Sequence, residues 1–210
     1  MYQGDLNLFR SVRVNTLKVA DGLDQNQLDF SPAARRWSVG EVLDHLLLSE
    51  LHYRRTFTGM IELVKSGKRP VITHDFRDLN TSLRFIPKAF LPFLGLPFTI
   101  FNMFVPSMVR EMMTEFRALP VTNPDIAEPR KGRPAAELRA ALRSSFAETE
   151  ALFEANPTLD YRRMRYQYPL LGDNNALQIL RILALHEKRH HAQIMEVLRA
   201  RGFPKRATAA

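Results

Sequence analysis

Residues 179–197 read ILRILALHEKRHHAQIMEV, and the spacing of their apolar positions decides how the chain is put together. At about 100° per residue, Ile179, Ile182, Leu183, Ile194 and Val197 fall on one stripe of a helix. His186 and His190 lie on that same stripe, four residues apart, so their Cβ atoms stand roughly 5–6 Å from each other. The stripe of an amphipathic helix faces the core, which carries both imidazoles inward with it. One core histidine is ordinarily satisfied by a hydrogen bond. Two on one apolar stripe both need partners, and a shared metal ion is a partner for both.

Three further helical patterns accompany this one. The first runs from about Leu6 to Leu23, with Leu6, Phe9, Val12 or Arg13, Thr16 or Leu17, and Ala20 on one face. A polar link from Asp24 to Ser31 and Pro32 follows it. The second begins at Ser38, with Glu41 three residues on in the capping-box arrangement, and continues to about Val64 before Ser66-Gly67. The third starts after Pro134 and ends near Ala155, with Leu138, Leu142, Phe146, Thr149 or Glu150, and Phe153 in helical period. The fourth follows residues 171–174 (LGDN), which supply a turn and an N-cap, and runs to about Ala200. Strand signals are weak, and Tyr161 to Tyr168 reads as loop. These patterns predict an all-α four-helix bundle forming a single domain over residues 1–210.

Between the second and third helices lies an insertion of roughly residues 70–133. Ala89 to Val109 contains no charged residue, a length near that of a membrane span. Pro92, Gly95, Pro97 and Pro106 break it, so it reads as short packed helices over the bundle or as a homodimer contact. Interfacial contact with a membrane surface is the alternative reading.

Composition removes several classes of function. The chain has no cysteine, which excludes disulfide scaffolds, thiolate metal ligands, a cysteine nucleophile and iron–sulfur clusters. Any metal is therefore held by nitrogen and oxygen donors. The start of the chain lacks the pattern of a signal peptide, which gives a cytoplasmic expectation. The net charge of +8 is spread in short groups such as Arg35-Arg36, Arg130 to Arg133 and Lys205-Arg206. No zinc-finger spacing or aromatic–basic signature accompanies them, so a solvated basic surface is expected rather than a specific nucleic-acid site.

The second helix carries His45 and, one heptad later, His52. They share a face but stand about 10 Å apart along the axis at 1.5 Å per residue, too far for both to serve one ion. Packing alone ranks His45 only slightly ahead of His52.

Residues 28–46 (LDFSPAARRWSVGEVLDHL), 168–172 (YPLLG) and 186–194 (HEKRHHAQI) resemble, in order and separation, the motifs of the DinB-like (DinB/YfiT) superfamily. The resemblance covers residues 1–66 and about 134–203 and leaves the insertion outside. It implies a four-helix bundle with a nonstandard connection and a three-histidine metal site made by His45, His186 and His190. Members of the superfamily include thiol-dependent transferases and isomerases. One divalent ion, zinc or nickel first among those imidazole suits, is the implied cofactor. An open three-histidine site leaves positions for water or substrate, pointing to a thiol S-transferase or a hydrolase. A thiolate would come from a small-molecule cosubstrate. A non-catalytic metal-binding or lipid- or partner-binding module using the apolar insertion is the alternative. Glu41, Glu187 and Gln193 are candidates to support the ligands from behind, although a cap role for Glu41 and a surface role for Glu187 read equally well.

Overall fold

The computed structural model describes residues 2–74, 82–83, 121–122, 127–168 and 172–206. Four long helices dominate them: α1 (Gln3–Asp21), α3 (Val39–Lys65), α4 (Ala135–Glu154) and α5 (Ala176–Leu198), with a short α2 (Gln25–Asp29) between the first two. The four long helices correspond to the expected ones. The helix starts follow from local chemistry. Ser38 Oγ accepts from the Glu41 N–H at 3.2 Å, while the Glu41 carboxylate accepts from the Ser38 N–H at 2.9 Å. Two orphan donors at the head of α3 are satisfied this way. Asn175 with Gln178 caps α5 in the same manner, and Asp24 with Gln27 caps α2.

Helix α1 packs against α5 and α4, and α3 packs against α4 and α5, so α1 and α3 face each other across the bundle. The inward residues of α1 are Leu6, Phe9, Val12, Arg13, Thr16 and Ala20, and those of α4 include Leu138, Leu142, Phe146, Thr149 and Phe153. One apolar cluster gathers Phe9, Phe57, Phe153, Tyr166 and Ile179, and a second gathers Leu28, Val42, Leu43, Leu138 and Ile194. Between them sits Arg13. Its guanidinium lies over the rings of Phe9 and Phe146 and donates to the Leu142 carbonyl at 2.7 Å.

A small sheet departs from the all-helical expectation. Strands β1 (Val71–Thr73), β4 (Arg165–Tyr168) and β5 (Gly172–Asn175) form one sheet in the order β1-β4-β5, and β2 (Ser82–Leu83) pairs with β3 (Val121–Thr122). Tyr161 to Tyr168, expected as loop, therefore contains a strand. Its pairing is long-range and parallel, with Ile72 opposite Tyr166, which local pattern does not reveal. The cap of α5 falls at Asn175 because residues 172–175 pair antiparallel with β4 before the helix begins. The link after α1 likewise holds α2 where only polar linker was expected.

Most of the 70–133 insertion, including Ala89 to Val109, lies outside the described residues. The expected packed helices, dimer contact and membrane contact all fall there. Among the described residues no helix is long and apolar enough to cross a membrane.

Candidate metal centre

Helices α3 and α5 bring three imidazoles to one point. His45 contributes from α3, and His186 and His190 contribute from one turn of α5. One ring nitrogen from each lies within 4.8 Å of the others. The ring centroids are 4.7 Å apart for His45 and His190 and 4.5 Å for His186 and His190. His52 is not part of this group. Its Nε2 lies 3.5 Å from the Tyr166 hydroxyl, beside His74.

Two rings are held from behind. His45 Nδ1–H donates to the Ala127 carbonyl at 2.8 Å, and His190 Nδ1–H donates to the Gln193 side-chain oxygen at 2.9 Å. Since a carbonyl oxygen can only accept, each bond fixes the proton on Nδ1 and leaves an Nε2 lone pair. His45 Nε2 and His186 Nε2 are 3.2 Å apart. That separation suits two ligand atoms on one ion with bonds of about 2.0–2.1 Å.

His186 completes the donor set. In a ring-to-ring hydrogen bond its Nε2–H would donate to the lone pair of His45, leaving its own Nδ1 bare. That Nδ1 is buried and has no hydrogen-bond partner. A cation shared by the three rings would replace that ring-to-ring bond, and three neutral nitrogen donors suit a nitrogen-preferring divalent metal, while the His186 Nδ1 has no partner in either case.

The electrostatics favour the neutral form of two of these rings, His45 and His186. Burial pushes His45 down to about 4, with the nearby Arg189 adding to the effect while the Ala127 carbonyl and Asp44 oppose it. His186 is pushed well below the usual histidine range by burial, then by His190, His45 and Arg189. Neutral imidazole is the form that binds metal. Trp37 walls the group, its ring 5.0 Å from that of His45 and stacked at 22° to that of His190.

The candidate supporting residues divide. Gln193 does hold His190. Glu41 is occupied by the cap of α3. Glu187, read equally as surface, is buried at 1 % exposure and paired with Arg13. Among the described residues no carboxylate joins the three-histidine group. Sequence reasoning assigned no role to the Ala127 carbonyl or to Trp37. A backbone oxygen 82 positions along the chain leaves no local signal, and Trp37 lies ahead of the Ser38 cap, outside α3, where helical spacing does not place it.

A helical bundle with three imidazoles converging from two packed helices is an architecture that could hold a metal ion in its interior. The chain belongs to the DinB superfamily, whose model matches residues 8–194. A similar solved structure is described as "YfiT from Bacillus subtilis is a probable metal-dependent hydrolase with an unusual four-helix bundle topology". It is 14% identical, with 97% of this chain and 89% of that chain covered and a TM-score of 0.54. At that identity the likeness is one of fold. No curated protein matches the chain.

Proposed function

We propose that the protein is a divalent-metal-dependent enzyme, with hydrolysis as its reaction, and that His45, His186 and His190 hold the ion. The observation that carries this reading is the convergence of the His45 and His186 Nε2 atoms at 3.2 Å while the Nδ1 atoms of His45 and His190 are tied outward. A divalent ion bound there supplies a Lewis acid that activates a water, or a thiol, near neutral pH. Three neutral ligands leave coordination positions for substrate, the arrangement of catalytic rather than structural sites. The fold relative YfiT, itself described as a probable metal-dependent hydrolase, supports the same choice of reaction.

The chain's own residues divide the remaining work. His45 and His190 are pre-oriented by Ala127 and Gln193, so little ordering is left to be done on binding. Trp37 excludes water from one flank. Arg189 places positive charge where it acts on both His45 and His186, favouring a substrate that is anionic or develops negative charge. Thiol transfer is the neighbouring reading, and there the thiolate comes from a small-molecule cosubstrate because the chain has no cysteine.

Zinc- and nickel-loaded protein, assayed on activated esters and separately on low-molecular-weight thiols with electrophiles, tests the reaction. Metal-dependent ester hydrolysis abolished in His186→Ala supports hydrolysis. Turnover only when a thiol is present selects transfer, and turnover that survives both metal removal and His186→Ala contradicts the metal reading.

A further inference from the structure

His45 owes its orientation to a segment far from it in sequence, and its neighbour Asp44 anchors that segment. Asp44 has 0 % exposure on α3. Its Oδ2 accepts from the Arg130 backbone N–H at 2.8 Å, and its Oδ1 accepts from Arg133 Nη1 at 2.5 Å. The Arg130 side chain adds a longer ion pair at 3.7 Å. Three residues before Arg130 comes Ala127, whose carbonyl receives the His45 Nδ1 proton at 2.8 Å. Asp44 and His45 thus grip one stretch of chain at both ends, one through its charge and the other through its ring.

We propose that Asp44 is a positioning residue for the metal centre, acting through residues 127–133 to set the ring orientation and tautomer of His45. The proposal rests on His45 being a metal ligand, but its structural half stands without the ion. A buried carboxylate is costly unless paired and hydrogen-bonded, and Asp44 meets that need with a backbone donor and an arginine on the same return segment. Those partners hold the segment at hydrogen-bonding range of His45. Hydrogen-bond energy falls steeply with distance and angle, so a shift of about 1 Å in the segment breaks the Nδ1–H bond. His45 is then released to swap tautomers and turn its Nε2 away from His186. Loss of a hydrogen bond behind a ligating histidine weakens metal affinity by about 10- to 100-fold.

The experiment has two readings, both on the full chain. In the first, zinc affinity is measured by competition with a chromophoric chelator for wild type, Asp44→Asn, Asp44→Ala and, as control, Glu137→Ala. Glu137 is the exposed second partner of Arg133, and its removal leaves Asp44 in place. The affinity of Asp44→Ala is expected to fall about 10- to 100-fold, that of Asp44→Asn by less because its side-chain oxygen still accepts from Arg130, and that of Glu137→Ala not at all. In the second, nitrogen-15 spectra of metal-free protein read the His45 tautomer, with loss of the protected Nδ1 proton expected in Asp44→Asn. The isosteric Asp44→Asn carries both readings if Asp44→Ala does not fold. Wild-type zinc affinity in the folded Asp44 variants overturns the proposal, as does an unchanged His45 Nδ1 signal in the metal-free spectra. Wild-type protein that binds no zinc while Asp44→Asn still loses the Nδ1 proton refutes the metal reading and leaves the positioning role standing.

Discussion

Arg13 on α1 and Glu187 on α5 form a two-pronged ion pair in the bundle interior, with Nε to Oε1 at 2.9 Å and Nη2 to Oε2 at 2.8 Å. Glu50 on α3 takes a third prong at 3.0 Å, and Thr149 on α4 donates to the other Glu50 oxygen at 2.8 Å. One guanidinium therefore ties all four long helices together. Arg13→Ala strands two buried carboxylates and is expected to lower stability by about 3–5 kcal/mol. Arg13→Lys keeps the charge without the fork and should fall between wild type and Arg13→Ala. Urea unfolding followed by circular dichroism measures both, and an Arg13→Ala loss below about 1 kcal/mol would show that the network is incidental.

His52 makes a pH-dependent contribution. Burial, then the neighbouring His74 and Arg55, push it from 6.5 to about 4, and the Tyr166 hydroxyl lies 3.5 Å from its Nε2. The unfolded chain takes up this proton first as pH falls. The stability His52 contributes is therefore full above about pH 6.5 and is lost as pH drops from there toward 4, at up to about 1.4 kcal/mol per pH unit. Unfolding titrations near neutral pH and about two units lower should show a smaller decline in His52→Asn than in wild type. Parallel declines would mean that His52 titrates normally.

Gln193 acts on metal affinity rather than on stability. It is half-buried and holds only the back of His190, so Gln193→Ala should cost well under about 1 kcal/mol in unfolding yet weaken zinc binding by about 10-fold. Calorimetric titration with zinc and thermal melts separate the two effects. Equal affinities would remove Gln193 from the site.

Ser38 gives the converse case. Ser38→Ala removes the capping box of α3 and should destabilise the protein by about 1 kcal/mol, leaving the metal content at wild-type level. Metal loss in this variant would mean that the cap itself, beyond the neighbouring Trp37, supports the site.

Much of this architecture is legible in the sequence. The four helices follow from periodicity and caps, and Ser38, Pro134 and the stripe through Ile179 and Val197 speak plainly. His186 and His190 are two neighbours on one helix face, information held within a single short window. His45 is harder, because a heptad partner, His52, occupies the same face; periodicity barely separates them, and the resemblance of residues 28–46 to the superfamily motif is what selects His45. The strand at Arg165–Tyr168 is invisible locally, since its partner Val71–Thr73 lies far earlier in the chain. Arg13 is, with Val12, one of two candidates for the inner face of α1, but nothing nearby in sequence announces Glu50 and Glu187 as its partners. Long-range polar pairing specifies this interior, and a single sequence does not display it.

Elemental mass spectrometry of the purified protein bears most directly on the three-histidine site. Wild type is expected to carry about one zinc or nickel ion per chain, with His45→Ala, His186→Ala and His190→Ala each folded and depleted of it. A full complement of metal in His186→Ala or His190→Ala, or none in wild type purified without chelators and then offered zinc, would contradict the account.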